Sequence, residues 1–556
     1  MFGHFKYLMY ICNEIKMSIN NNKITDMKTF KFIVASMIAL CSFAMPANAQ
    51  TTTCINPLTY TDIPDNDVIR VDDDYYMVST TMFFCPGAPI MHSKDLVHWR
   101  IVNYVYDYLA DDDIYNLRNG KNAYGKGQWA TTIRYVDGTY YVLFIANDQH
   151  KTYVYRTNDI MNGKWERNEI AGAFFHDASL LFDNNGKVYV VYGNGELHIT
   201  ELLPDLTGIK EGGINQVLIA TPRQGFGLRA EGAHFYHIGE YYYVIDIDWP
   251  SGKPRTERCW RSKNLLGPYE DKVILQGAFD GRGDGVAQGA IFDTQNGDWY
   301  AVMFQDHGAV GRVPTLQPMK WVDGWPILGD NTIPVKQFEV NLPESGENWT
   351  WDNDEFDYTA NDELALVWQW NHKPINDKWS VTERKGWMRL HSNPATNIFD
   401  ARNTLTQRTV GPRCYSEVKM DASKMKPGDK AGLCAFQANN CTIGVEVDNN
   451  GKKFIVATSG TRRESKDVLR IPLKGKKIWL KMKYVFTPQA DDTCGPDKAF
   501  MSYSLDGKKW IDINDQLGMR FTLDLFVGYR SALYCYNTNG SEGGFADFDY
   551  FHQWTY

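Results

Sequence analysis

Several familiar signatures are missing from this 556-residue chain. No HExxH, GxSxG or phosphate-loop sequence is present, so zinc-peptidase, α/β-hydrolase and P-loop chemistry are not expected. No CxxC pair occurs, which argues against a zinc site. No amphipathic helix of ordinary length interrupts residues 55–335. Charge of one sign is also lacking. The 58 basic and 67 acidic side chains leave a net charge of -9 with no basic cluster, so nucleic acid is not an expected partner. Beyond the N-terminus no apolar run reaches membrane-spanning length, so no membrane span is expected.

Aromatic residues are plentiful instead. Phe, Tyr and Trp make up 14% of the chain, alongside 46 glycines. That combination suits many short strands joined by tight turns. It also suits a surface on which flat rings stack against sugars.

Residues 1–26 carry no structural pattern and read as a non-native upstream extension. From Met27 the chain reads as a signal peptide over 27–49. Lys28 and Lys31 are followed by the apolar run Phe32–Met45, and Ala47-Asn48-Ala49 forms a small-x-small cleavage site. The mature protein is therefore expected to be exported, periplasmic or secreted. Eight cysteines follow the cleavage site: Cys54, Cys85, Cys259, Cys414, Cys434, Cys441, Cys494 and Cys535. Most read as buried small hydrophobes, with room for one or two bridges within 414–535.

A phrase recurs in the first half: a turn, then paired aromatic or apolar residues, then a β-branched run. It occurs at Asp73-Asp74-Tyr75-Tyr76, Gly138-Thr139-Tyr140-Tyr141, Gly186-Lys187-Val188-Tyr189, Gly239-Glu240-Tyr241-Tyr242 and Gly297-Asp298-Trp299-Tyr300. A second phrase follows some of them, as in Ser93-Lys94-Asp95-Leu96 and Thr157-Asn158-Asp159-Ile160, and reads as an outer turn. Units of about 50 residues built from small antiparallel sheets predict a β-propeller, here with five blades over 55–335. The alternative is a sandwich with similar hairpins.

In a propeller the first strand of each blade lines the central channel. Counting back eight or nine residues from each turn gives Asp65, Ala130, Asp177, Glu231 and Gln288. Three matched positions are acidic, and blade symmetry would gather them around the axis. Glycoside hydrolysis needs one carboxylate as base and one protonated carboxyl as acid, and a third acid can tune the second. A calcium site is the competing use, but none of the three sits in a calcium-loop pattern.

The stretch Pro64-Asp65-Asn66-Asp67-Val68-Ile69, Trp129-Ala130, His176-Asp177-Ala178-Ser179 and Glu231-Gly232-Ala233-His234 resembles the successive blade openings of glycoside hydrolase family 43. That resemblance implies an inverting hydrolase of terminal xylosyl or arabinofuranosyl residues on plant-type glycans. It implies Asp65 as general base, Glu231 as general acid, and Asp177 as the group that tunes and orients Glu231. Asn66 and Ala178 stand where the family usually has proline. Gln288 replaces a channel histidine that often ligates a buried ion. This weighs against structural calcium, although a carbonyl-and-water site stays open, and no cofactor is required for catalysis. Arg312 resembles the family's substrate-contacting arginine. Trp129, Gln288 and His307 join it as expected substrate contacts.

Pro334–Glu347 reads as a linker. From 350 to 556 the text is strand-rich without the blade repeat. Trp368-Gln369-Trp370-Asn371-His372 and Ala401–Arg408 resemble the lectin-like β-sandwich (jelly roll) that follows the propeller in many β-xylosidases of that family. It is expected to brace the propeller and wall off one side of the site. Ser504-Leu505-Asp506-Gly507 is near an Asp-box pattern, but its spacing fits a hairpin better. Two other readings remain at this point: a non-catalytic carbohydrate-binding propeller, and a retaining fructan-cleaving propeller.

Overall fold

The computed structural model describes residues 50–346, 350–360, 362–487 and 497–556. The upstream extension, the signal peptide and Cys494 lie outside the described residues. The protein is all-β, a five-bladed propeller followed by a concanavalin-like sandwich.

Each blade is a four-stranded antiparallel sheet laid down in chain order from the axis outward. Blade 1 comprises Asp67–Val71, Asp74–Val78, Gly87–Ser93 and Arg100–Tyr106. The inner strands of blades 2 to 5 are Gln128–Val136, Ser179–Phe182, Phe226–Ile238 and Val286–Asp293. These five inner strands neighbour one another in a closed ring, blade 5 returning to blade 1. The recurring aromatic phrase is the turn into each second strand. At Gly138 the turn needs φ of 80°, open to glycine without a Cβ clash. The second phrase forms outer turns: in blade 1 the Asp95 carboxylate accepts the Val97 and His98 amides, and Trp99 is buried beneath.

Closure does not use a shared blade. Thr52–Ile55 pairs antiparallel with Gln337–Val340. The Asn56 amide donates to the Leu316 and Val335 carbonyls and accepts from the Leu316 amide, locking blade 5 to the chain start. The expected linker is thus partly a strand, because its Gln337–Val340 segment supplies that pairing.

The second half forms a nine-stranded and a seven-stranded sheet packed face to face. Their interior is one apolar core built from residues such as Leu433, Ile443, Leu480, Met482 and Phe548. One of the nine strands comes from the propeller half: Phe84–Cys85, between the second and third strands of blade 1, pairs with Gln369–Asn371. A second core, shared by both halves, packs Phe83, Phe84 and Tyr106 against Phe436, Leu525 and Tyr534. The near-Asp-box segment is a hairpin turn, with Ser504 paired to Trp510 and the Asp506 carboxylate accepting the Lys508 and Lys509 amides. The seven described cysteines are free and buried, so the room left for bridges within 414–535 is not used among them. They behave as small core hydrophobes. Among the described residues no helix is long and apolar enough to cross a membrane.

Candidate active site

One backbone device recurs at the mouth of the channel. In every blade the inner strand carries extra residues over its partner where it enters the sheet, and in blade 4 the pairing slips more than once. In blades 2, 4 and 5 the pairing slips between Gln128 and Thr131, Glu231 and His234, and Ala287 and Gly289. In blades 1 and 3 regular register would set Asp65 opposite Thr80 and Asp177 opposite Gly193. The Thr80 and Gly193 amides instead donate to the carbonyls of Pro64 and His176. Such bulges bend a strand and re-aim a side chain. Asp65, Asp177, Gly232 and Gln288 take left-handed φ values of 53°, 48°, 61° and 58° within them. For a residue with a Cβ this costs on the order of 1 kcal/mol. Gly232 is forced: a Cβ there would lie 2.7 Å from the Gln288 side chain.

The bulges throw Asp65, Asp177, Glu231 and Gln288 into one cavity of about 330 Å³, which Trp129 and Arg312 also line. This volume is at the small end for ligand sites. On one side Arg312 Nη1 lies 2.6 Å from Asp65 Oδ1. Burial pushes the Asp65 carboxyl up from its ordinary value, while the Arg312 guanidinium pulls it back. Gln288 Nε2 donates to the same Asp65 oxygen at 3.4 Å. The Gln288 backbone amide donates to Glu257, a fully buried carboxyl whose pKa burial drives well above its ordinary value. The remaining Arg312 donors, Nε and Nη2, are buried and find no partner among the described residues. They are free to bind a ligand's hydroxyls.

On the other side stand Asp177, Glu231 and His176. His176 Nε2 is 3.6 Å from Asp177 Oδ2 and 3.8 Å from Glu231 Oε2. Asn194 also donates to Glu231 Oε2. Burial lifts the Asp177 carboxyl, His176 opposes, and the Glu231 and Asp65 carboxylates add to the rise, leaving it at about 7. Burial depresses the His176 imidazole, but the Glu231 and Asp177 carboxylates outweigh it and raise it to about 9.

Trp129 meets His176 and Phe526 edge-on, each at 5.8 Å between ring centroids. Phe526 and Leu523 come from the sandwich and complete the cavity wall. Phe526 has φ of 60°, a strained conformation for a bulky residue, and its ring lies 4.8 Å from the Arg312 guanidinium.

His307 is not brought to the cavity. It is buried, with Nδ1 2.8 Å from the Tyr60 hydroxyl, and burial lowers it to about 3, so it is a neutral packing residue. Asn194, Phe526 and Leu523 join the site without a place among the sequence-based candidates, and His176 is present there only within the motif around Asp177. Histidine beside a matched acid was the available signal; nothing in the sequence marked the sandwich residues.

Among the described residues, a cluster able to ligate a metal is His176, Asp177 and Glu231, with donor atoms within 4.8 Å of one another. The channel beneath does not fit a calcium cage of six to eight oxygens. Gln288 turns its amide to Asp65, and His234, which burial keeps neutral, has Nδ1 3.1 Å from the Gly232 carbonyl.

The chain belongs to glycosyl hydrolases family 43, whose family model matches residues 54–326; residues 353–553 match the β-xylosidase C-terminal concanavalin A-like domain. A β-xylosidase of Formosa agariphila is 31% identical, with 90% of each chain covered. A non-reducing end α-L-arabinofuranosidase of Bacteroides ovatus is 27% identical over 89% of this chain and 94% of the relative. A solved bifunctional GH43-CE protein of Bacteroides eggerthii superimposes with a TM-score of 0.84 at 42% identity. That match covers 91% of this chain but 64% of the longer protein. This protein is accordingly a glycosidase.

Proposed function

We propose that the protein is an exported, inverting exo-glycosidase that removes terminal xylosyl or arabinofuranosyl residues from plant-type oligosaccharides or polysaccharides. The observation that carries this is the arrangement of acids around one small cavity. Asp65, held by Arg312 and Gln288, faces the cavity from one side, and Glu231 with Asp177 faces it from the other. Asp65 takes a proton from water as general base. Glu231 protonates the leaving oxygen, and the buried Asp177 carboxyl tunes and orients it. The two unpartnered donors of Arg312 bind sugar hydroxyls, and Trp129 offers an apolar ring face. The wall of Phe526 and Leu523 supports attack on chain ends, because a small cavity closed on one side suits one terminal sugar. The relatives' names, β-xylosidase and arabinofuranosidase, support this pair of sugars.

The test uses nitrophenyl β-xyloside and α-L-arabinofuranoside with wild type and Glu231→Gln. NMR of the first-formed anomer should show inversion. Retention would replace this mechanism with one using a nucleophile, and equal turnover by the variant would remove Glu231 as the acid. Export over residues 27–49 is checked by the N-terminus of the mature protein, expected near Gln50.

A further inference from the structure

We propose that Asn194 decides which oxygen of Glu231 carries the proton given to the leaving group. This rests on the acid role assigned to Glu231 above. Asn194 is a positioning residue that acts through Glu231 and not on the sugar itself.

Asn194 stands at the hairpin turn between Val188–Asn194 and Glu196–Leu202 of blade 3, and it lines the cavity. Asparagine beside glycine is common in such turns, because it tolerates left-handed backbone and bonds its own main chain. Neither reason applies here. The positive φ values belong to the flanking glycines, 135° at Gly193 and 75° at Gly195, and not to Asn194. The Asn194 amide Nδ2 donates to Glu231 Oε2, 37 residues away in the next blade.

The turn is fastened to the acid's own strand. The Gly195 amide donates to the carbonyl of Ala230, the residue before Glu231. Arg229 Nη2, two residues before Glu231, donates to the Gly195 and Thr221 carbonyls at 2.8 and 2.7 Å. The Thr221 hydroxyl donates to the same Gly195 carbonyl at 2.7 Å. Both glycines are required by these close approaches. A Cβ at Gly193 would lie 2.2 Å from the Glu196 carbonyl oxygen, and one at Gly195 would lie 2.4 Å from the Arg229 guanidinium. This clasp between blades 3 and 4 fixes Asn194 relative to Glu231.

A protonated carboxyl has one O–H and one carbonyl oxygen that accepts. An N–H donor on Oε2 makes that oxygen the acceptor, so the acidic proton resides on Oε1. The Oε1 proton passes to the glycosidic oxygen as its bond to the anomeric carbon breaks, and the bonding pair stays on that oxygen. Asp65 takes a proton from the water whose oxygen bonds to the anomeric carbon. Solvent then takes the proton from Asp65 and restores one to Glu231. As charge grows on Glu231, the Asn194 bond becomes charge-assisted and roughly twice as strong. It is therefore stronger in the transition state than in the ground state, which is the condition for acceleration.

The test is kcat/KM of Asn194→Ala and Asn194→Asp on aryl xylosides and arabinofuranosides of graded leaving-group acidity, with melting temperatures to confirm folding. Asp keeps the shape of Asn and puts a charge or a proton where the N–H stood, so it carries the readout if Ala disturbs the turn. Both variants should lose about tenfold or more on poor leaving groups and less than about threefold on activated ones. A turn that only supports the fold would lower every substrate alike. That result overturns the proposal, as does wild-type turnover in both variants. The second arm is a double-mutant cycle with Glu231→Gln on a poor leaving group. Asn194→Ala should cost less than about threefold in that background, because the group it positions is gone. Losses that multiply would place Asn194 on the sugar itself and remove only the Asn194 assignment. Equal turnover by wild type and Glu231→Gln, or none in wild type, would defeat the acid reading and this proposal together.

Discussion

In the core between the sandwich sheets, Leu433, Ile443, Leu480 and Phe548 are fully buried apolar groups in regular strands. At the channel mouth the buried side chains are Asp65, Asp177, Gln288 and Arg312, three of them on left-handed backbone. The apolar core gains stability from each of these groups it buries. The other holds carboxyls out of water and backbone under strain. The propeller tolerates this because the ring of inner strands and the apolar layers between blades hold the bulges from below. The sandwich contributes to the strained region too, by lending it Phe526.

The largest expected effect tests whether the two halves are separable. Deleting residues 350–556 exposes the shared core around Phe83, Phe84 and Tyr106 and removes the strand paired to Phe84–Cys85. The truncated propeller should be insoluble or aggregated by size-exclusion chromatography, and a soluble, active one would show that the halves are independent. Next, Glu231→Gln should cost about 10²–10⁴ in turnover of substrates with poor leaving groups. Its melting temperature should stay close to wild type, as measured by calorimetry. Leu480→Ala should do the reverse, losing about 2–5 kcal/mol of stability in denaturant titration while leaving kcat unchanged. Phe526→Ala crosses the boundary between the regions. It should lower kcat/KM by about tenfold, as expected for an apolar sugar contact worth ~1–2 kcal/mol, although the residue belongs to the sandwich.

The smallest effect is a slope. Glu257 has its folded value raised above the unfolded one, so the folded state keeps a proton that the unfolded chain releases. Wild type therefore loses stability as pH climbs above about 4.5, by up to ~1.4 kcal/mol per pH unit. Glu257→Gln lacks this titration, so its melting temperature should gain on wild type between pH 5 and pH 8. A constant gap would mean that Glu257 is ionised.

Much of the propeller was legible because its turns repeat. Tyr75-Tyr76, Tyr140-Tyr141 and Tyr241-Tyr242 mark the same place in successive blades, and a count back from them reaches the acids. Arg312 was found through a resemblance. His307 looked equally polar in the same segment, yet a two-residue-period strand and its connecting turn send it to Tyr60 and not to the cavity. Phe526 was illegible, since it reaches Arg312 only across more than 200 residues of chain.

By itself, the sequence determined the blade period, the five inner-strand entries and the residue types standing at them, because these depend on local turn chemistry and on strand alternation. Tertiary structure alone decided which charged groups face one another and which residues wall the cavity. The bulge at each entry rotates Asp65, Asp177 and Gln288 toward the axis, and docking of the sandwich sets Phe526 over Arg312. Both depend on contacts between segments far apart in the chain, whose geometry no local pattern encodes.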